Sequence, residues 1–314
     1  MWTPLVSVII PTYNRRKWIG ECLSAVRAQT YQHLETLVID DCSSDGTVEW
    51  LRSEPQYNFA RIHVQQRNKG ASEARNAGID LARGELVAFI DSDDLLAPEH
   101  IETAVDVFRR HPEVGLFCCD STLIDPEGEV LYEGRTWHRI QSEIKRHPVK
   151  SGRRSLKDVF LFSNCFPGFT LRRRVFEEVG LFDQTIFPLD DYDLALRVAG
   201  SRYEVYYANQ SLCFRREHLG QCSGAANAVR VGRETIRCLD VALERNAELR
   251  GLLGKAARRR IAEVEVEMGV SRIYAGDRRG GLRALLHAIS LDPHQLLEVA
   301  KLGRRRLHRI VAPA

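Results

Sequence analysis

The first hundred residues alternate short apolar runs with segments of helical periodicity. Apolar residues recur at helical spacing between the runs, as at Trp18, Cys22 and Val26. Four runs rich in β-branched and aliphatic side chains have the length of strands, namely residues 5–10, 34–39, 61–65 and 86–90. This alternation predicts an α/β fold of successive βαβ units, with a Rossmann-like, mixed but mostly parallel sheet flanked by helices.

The α/β alternation weakens beyond residue 94. Residues 114–119 and 123–132 are predicted to form two antiparallel strands around a Pro-Glu-Gly turn. Residues 150–154 are interpreted as a loop, and the three arginines at 172–174 as part of a solvated helix face. The last predicted strand covers residues 203–208.

From about residue 225 the composition turns to Ala, Leu, Arg and Glu, with helical periodicity at positions such as Ile236 and Leu239. We therefore predict an α/β domain at residues 1–223 and an α-helical region at residues 224–314. Small residues between 276 and 293 give this second region a weak resemblance to one tetratricopeptide unit.

The two regions differ in charge. Residues 1–223 contain 27 Lys and Arg against 32 Asp and Glu, whereas residues 224–314 contain 18 against 10, which gives net charges of −5 and +8. The basic excess has two interpretations, a solvated helix surface or peripheral contact with an anionic membrane. No nucleic-acid partner is expected.

The apolar runs all fall far short of the roughly 20 residues that cross a bilayer. The first residues also lack the basic and apolar stretches of a secretory leader. The 8 cysteines follow no C-x-x-C spacing and are interpreted as reduced thiols. We therefore expect a cytoplasmic protein, with any membrane contact at the cytoplasmic face of the inner membrane.

Polar residues follow three of the predicted strands at the point where each strand ends. The first strand leads into Pro-Thr-Tyr-Asn at 11–14, the second into a segment that begins with Asp40 and Asp41, and the fourth into Asp-Ser-Asp-Asp at 91–94. Because the carboxyl ends of parallel strands meet at one edge of a sheet, we expect these groups to converge there.

Carboxylates that converge in this way repel one another unless a cation or hydrogen-bond donors offset the repulsion. Oxygen ligands such as Asp91 and Asp93 suit Mg²⁺ or Mn²⁺. An acid after a strand is also typical of a helix cap, and Asp94 ahead of Pro98 fits that simpler interpretation.

Seven short motifs occur in a fixed order along the chain: SVIIPTYN at 7–14, VIDD at 38–41, NKG at 68–70, ARNAG at 74–78, FIDSDD at 89–94, GLFD at 180–183 and DDYDL at 190–194. Together they resemble the family 2 glycosyltransferases, over about the first 220 residues. The resemblance implies an inverting enzyme with the nucleotide-diphospho-sugar transferase fold of GT-A type.

The resemblance also implies roles for individual residues. Asp191 corresponds to the catalytic base, and Asp190 stands where the family has Glu. Asp93 and His218 would bind the metal, Mn²⁺ or Mg²⁺. The alternatives are a helix-capping or ion-paired acid for Asp191 and a surface histidine for His218. The donor would be bound by residues following the strands, namely Pro11, Thr12, Tyr13, Asn14, Asp41, Lys69, Arg75, Asp91 and Ser92.

The expected reaction is transfer of one sugar from a nucleotide diphosphate donor, with UDP favoured by resemblance, to a hydroxyl of a glycan, lipid-linked or protein-linked acceptor. Two other interpretations remain open. A sugar-nucleotide pyrophosphorylase would carry a Gly-rich loop where this chain has residues 11–14. A catalytically silent nucleotide-binding scaffold would not need to retain Asp93, Asp191 and His218.

Overall fold

The structure is a computed structural model that describes residues 2–133, 150–162, 168–222 and 227–297. Its internal contacts divide the chain into two compact units, Met1–Val159 with Ser163–His218, and Phe160–Phe162 with Leu219–Ala314.

In the described residues the first unit contains one nine-stranded sheet. Its strands are β1 (Val6–Thr12), β2 (Leu34–Asp40), β3 (Ala60–Val64), β4 (Leu86–Phe89), β5 (Leu95–Leu96), β6 (Val114–Ile124), β7 (Gly152–Arg154), β8 (Thr170–Arg172) and β9 (Glu204–Arg216). The order is β3-β2-β1-β4-β8-β6-β9-β5, and β7 pairs with β9. Strands β1 to β4 pair in parallel, as do β6 and β9, whereas β5, β7 and β8 pair antiparallel with their neighbours.

Helices connect the strands. They are α1 (Ile19–Arg27), α2 (Thr47–Ser53), α3 (Ala71–Leu81), α4 (His100–Arg110), α5 (Leu156–Phe162), α6 (Val175–Val179) and α7 (Asp190–Ala199). Every residue of β1 is buried, because both faces of the central strands are covered. The carboxyl ends of β1, β2 and β4 lie side by side, so the segments that follow them meet at one edge of the sheet. The predicted α/β fold is confirmed.

The two segments predicted between residues 114 and 132 are joined in one strand, β6, which continues to Ile124, and the predicted antiparallel turn around Pro126-Glu127-Gly128 is present as a bridge between Ile124 and Val130. The polar residues that suggested a break are accommodated because the register against β9 shifts on either side of Asp120. Thr122 Oγ1 then lies 2.6 Å from Ser211 Oγ on β9, so a side chain inside the sheet is satisfied.

Two further predictions about this half of the sheet are corrected. Residues 150–154 are not simply a loop, since β7 pairs with β9 across three residues. The strand predicted at 203–208 extends as β9 to Arg216, two residues before His218. The second half of β9 is less apolar than the first, which explains why periodicity missed it.

The arginines at 172–174 do not belong to a helix. Arg172 ends β8, and its guanidinium donates to the carbonyl oxygens of Val114 at 2.9 Å and Phe108 at 2.7 Å. An arginine in this position links neighbouring segments of the chain through hydrogen bonds to their backbone, which a residue on a solvated helix surface would not do.

The second unit is helical in its described part, with α8 (Ala228–Arg245), α9 (Ala247–Tyr274) and α10 (Arg278–Leu291). A side chain at Gly281 would collide with the backbone oxygen of Gly269, so glycines allow α9 and α10 to pack closely. Asp277 caps α10 by accepting a hydrogen bond from Gly280 N at 2.9 Å. Among the described residues, no helix combines the length with the apolar character that crossing a membrane requires.

Candidate active site

The segment between β4 and β5 brings three carboxylates together. Asp91, Asp93 and Asp94 each offer an oxygen, and these oxygens all lie within 4.8 Å of one another. The segment turns tightly, with Asp94 N donating to Asp91 O at 3.0 Å. Three carboxylates at this separation repel one another, and a hard divalent cation is the ligand that such an oxygen set suits. The donor set present therefore fits the predicted Mn²⁺ or Mg²⁺.

The Asp93 carboxylate has two nitrogen partners. Its Oδ2 lies 3.0 Å from Arg15 Nε and 3.0 Å from His218 Nε2. Burial by itself raises the pKa of Asp93, but the hydrogen bond from His218 and the charge of Arg15 outweigh burial and lower that pKa. The structure thus brings together the two predicted metal ligands, Asp93 and His218, from segments 125 residues apart.

Asp94 has a different role from the helix cap considered for it. The helix ahead begins at His100 with Glu99 at its N-cap, and Asp94 is instead buried and accepts a hydrogen bond from Arg216 N at 2.8 Å. Burial, followed by the charges of Asp93 and Asp91, raises its pKa well above the usual value. Asp94 therefore anchors the acidic segment to β9.

Arg75 joins two acids that are distant in the sequence. Its Nη2 lies 2.7 Å from Asp91 Oδ1 and its Nη1 lies 2.6 Å from Asp190 Oδ2, and Ser72 Oγ also donates to Asp190 at 2.9 Å. Asp190 is only 2% exposed, so its carboxylate interacts with these donors and not with solvent. In this arrangement Asp190 positions Arg75, and Arg75 fixes the start of α7 against the acidic segment.

Asp191 follows Asp190 at the start of α7 and is partly exposed. Its Oδ1 accepts a hydrogen bond from Tyr192 N at 2.7 Å. Burial, followed by the charge of Asp190, raises the pKa of Asp191 to about 7, while the charge of Arg75 opposes this shift. A carboxyl group with a pKa near neutrality and access to solvent has the properties of a general base.

The segments after β1 and β2 form a second cluster of predicted residues. Pro11 and Thr12 are buried at the end of β1, whereas Tyr13 is 44% exposed. Asn14 has a positive φ of 52°, and its Oδ1 accepts a hydrogen bond from Ser44 N at 2.8 Å. Asn14 thereby joins the segment after β1 to the segment after β2, and the exposed Tyr13 ring beside it in the sequence is accessible to a ligand.

Asp41 connects this cluster to α3. Its two carboxylate oxygens accept hydrogen bonds from Lys69 N at 2.8 Å and Gly70 N at 2.7 Å, at the turn that leads into the helix. Gly70 has φ of +91°, a conformation that favours glycine. Lys69 extends its amine to Glu73 at 3.0 Å, and Ser92 is buried in the acidic segment.

Several residues that organise the site were not predicted from the sequence. Arg15, Ser72 and Arg216 contact the acids or their backbone, and Glu21 pairs with Arg216. These residues stand alone between motifs and have no characteristic spacing. Arg216 is completely buried, because β9 extends beyond its predicted end at residue 208 to Arg216. The burial of Arg216 could not be predicted without knowing how far β9 extends.

Comparison with known proteins agrees with this description. The sequence pattern of Glycosyl transferase family 2 matches residues 7–180. An uncharacterized glycosyltransferase of Rickettsia typhi is 30% identical over 235 residues, which are 72% of this chain and 68% of that protein. The chondroitin synthase of Escherichia coli is 32% identical over 197 residues, which are 62% of this chain but only 26% of that longer protein.

Solved structures have the same fold. TarS of S. aureus in complex with UDP aligns over 94% of this chain and 82% of its own, with a TM-score of 0.60 and 18% identity. The mannosyltransferase PcManGT of Pyrobaculum calidifontis, in complex with GDP-Man and Mn²⁺, aligns over 99% and 82%, with a TM-score of 0.64 and 20% identity.

The fold is of GT-A type, and acids line one edge of its sheet. The chain belongs to glycosyl transferase family 2. The resemblance inferred from the seven motifs is therefore confirmed.

Proposed function

We propose that the protein transfers a single sugar from a nucleoside diphosphate donor to a hydroxyl acceptor, with inversion at the anomeric carbon. The observation that carries this proposal is the joining of Asp91 and Asp190 by Arg75, which holds the acidic segment beside Asp191. The proposed reaction needs the acidic segment, which would bind the donor, close to Asp191, which would act on the acceptor. Family membership favours this reaction over that of a pyrophosphorylase and over a silent scaffold.

Asp93 and His218 are the proposed ligands of a divalent cation, Mn²⁺ or Mg²⁺. The oxygen-rich set around Asp93 supports this assignment, and the Mn²⁺ of the Pyrobaculum mannosyltransferase complex supports a metal in this fold. When bound, the ion acts as a Lewis acid that stabilises the negative charge of the departing diphosphate.

The donor is proposed to be a UDP-sugar. The UDP and UDP-GlcNAc complexes of TarS support a uridine donor, whereas the GDP-Man complex of the mannosyltransferase is the alternative that an assay must test. The exposed Tyr13 and the Asp41 cluster are suited to the nucleoside. The proposed donor-binding residues are those at the ends of β1, β2 and β4 and at the start of α3, namely Pro11, Thr12, Tyr13, Asn14, Asp41, Lys69, Arg75, Asp91 and Ser92.

Asp191 is the proposed general base. Its carboxylate accepts the proton of the acceptor hydroxyl as the new C–O bond forms, and its raised pKa makes that proton transfer favourable near neutral pH. A single base and direct attack on the face opposite the leaving group convert an α-linked donor into a β-linked product. No covalent sugar–enzyme intermediate is needed.

The acceptor is proposed to be a glycan, lipid-linked or protein-linked hydroxyl, reached at the cytoplasmic side of a membrane. The net charge of +8 in residues 224–314 supports peripheral contact with anionic lipid. The most basic part of that sequence, residues 301–309, lies outside the described residues.

A donor panel tests the proposal. Purified protein is incubated with Mn²⁺ and UDP-, GDP- or dTDP-sugars, and release of nucleoside diphosphate is measured with and without simple sugar acceptors. We expect release of UDP that requires both the metal and Asp191. Release of pyrophosphate would instead support the pyrophosphorylase, and binding without turnover of any donor would support the scaffold.

A further inference from the structure

Arg216 is the largest of the fully buried side chains in the described part of the chain, with 0% of its surface exposed. A buried arginine costs free energy unless all of its donors are used. Its Nε donates to Asp93 O at 2.9 Å, its Nη1 to Pro126 O at 3.0 Å, and its Nη2 contacts Glu21 Oε2 at 2.7 Å. Each nitrogen of the guanidinium therefore contacts a different segment of the chain.

The contacts converge on the acidic segment. The side chain of Arg216 holds the backbone of Asp93, and its backbone N–H holds the carboxylate of Asp94 at 2.8 Å. His218 follows two residues later and approaches the Asp93 carboxylate. Arg216 thus fixes both sides of the Asp93–His218 pair.

Trp18 supports the same pair. Its indole N–H donates to Pro126 O at 3.0 Å, the oxygen that Arg216 also contacts. Its ring lies 4.5 Å from the His218 ring and 5.8 Å from the Arg216 guanidinium carbon. The imidazole is consequently packed against a ring whose own position depends on the turn that Arg216 binds.

We propose that Arg216 is the positioning residue of the metal site, which sets the separation of the Asp93 and His218 side chains so that both can bind one cation. This inference rests on the proposed function, because it takes those two residues as the ligands. Arg216 is suited to the role because a planar guanidinium donates in three directions at once. A lysine ammonium keeps the charge but lacks that rigid fork.

Arg216→Lys tests the inference, with Arg172→Lys as the matched control. Arg172 also binds backbone carbonyls, at Val114 and Phe108, but it does not touch the acidic segment. Mn²⁺ binding to the full chain in the presence of UDP is measured by electron paramagnetic resonance titration. We expect Arg216→Lys to weaken Mn²⁺ binding at least tenfold and Arg172→Lys to change it less than about twofold, since misplacing one ligand costs on the order of one decade in affinity.

Glu21→Gln is the second variant, because it removes the charge that Arg216 pairs with while leaving the arginine in place. Glu21 is half-exposed, so this change is tolerated even where Arg216→Lys does not fold. We expect weakening of about threefold, smaller than for the lysine variant.

The outcomes separate the two proposals. Unchanged Mn²⁺ affinity in folded Arg216→Lys, or equal weakening in Arg172→Lys, would overturn the positioning role alone. If Arg216→Lys does not fold, unchanged affinity in Glu21→Gln overturns it. Absence of UDP-dependent Mn²⁺ binding in the unaltered protein would overturn the metal assignment, and with it this inference.

Discussion

Asp191→Asn is expected to remove transfer and, at the same time, to stabilise the N-terminal unit at neutral pH. The carboxyl of Asp191 has a pKa of about 7 in the folded protein against 3.8 in its ordinary environment. Between these two values the folded state binds more protons than the unfolded state, so stability falls as the pH rises. Because asparagine is uncharged at every pH, the Asp191→Asn variant does not lose stability in this way.

The magnitude follows from the pKa difference. A difference of about three units corresponds to about 4 kcal/mol once both states are ionised, at 1.4 kcal/mol for each unit. Part of the effect is already present at about pH 5, where the unfolded carboxyl is ionised and the folded one is not. The advantage of Asp191→Asn is therefore expected to grow by roughly 2 to 3 kcal/mol between about pH 5 and about pH 8.

Urea unfolding followed by tryptophan fluorescence measures this difference. The described tryptophans, Trp2, Trp18 and Trp50, lie in the N-terminal unit, so their fluorescence reports that unit. The same two proteins are assayed for transfer across this pH range. The unaltered enzyme should gain activity as the pH rises through about 7, and the asparagine variant should be lower by orders of magnitude with donor affinity nearly intact.

Two results would refute this reasoning. A stability difference that stays constant with pH would mean that Asp191 titrates normally, and near-normal turnover in Asp191→Asn would remove it as the base. A variant at the neighbouring position gives the contrast, because Asp190 is already paired with Arg75 and gains nothing from losing its charge.

The remaining predictions concern the other acids and the basic tail. Asp190→Asn should destabilise the N-terminal unit by about 3 kcal/mol, because it leaves Arg75 partly unpaired in a buried site; urea unfolding indistinguishable from the unaltered protein would contradict this. Asp93→Ala should weaken Mn²⁺-dependent donor binding in a calorimetric titration, and unchanged Mn²⁺-stimulated affinity would contradict the ligand assignment. Replacing the basic residues of the tail with glutamine should abolish salt-sensitive sedimentation with anionic liposomes. Sedimentation that does not depend on salt or on lipid charge would count against membrane contact. The residues to be replaced are Lys301, Arg304, Arg305, Arg306 and Arg309.

The sheet and the acids at its edge were predictable because each depends on local pattern. Apolar runs identified β1 to β4, and polar residues at their ends identified Asp41, Asp91 and Asp93. The second half of the unit was less predictable, since β6 carries polar residues through a bulge and β9 continues into a basic segment. Neither feature produces a regular spacing of apolar residues from which it could be predicted.

The partners of the predicted residues were not predictable for a related reason. Arg75 was expected to bind the donor, and its guanidinium lies between Asp91 and Asp190, two acids that it was not predicted to contact. Asp190 and Arg75 are 115 residues apart, and the residues between them contain no signal for that contact. Spacing along the chain identifies which side chains carry chemistry, whereas long-range packing determines which of them meet.

The central claim is that one divalent cation binds at Asp93 and His218 and holds the diphosphate of the donor beside Asp191. A crystal of the protein soaked with UDP and Mn²⁺ tests it most directly, through the anomalous signal of manganese. The account predicts a single peak about 2.1 Å from an oxygen of Asp93 and from the diphosphate, with His218 Nε2 also in contact. A manganese peak remote from Asp93, or a diphosphate bound away from the cleft that Asp191 faces, would contradict it.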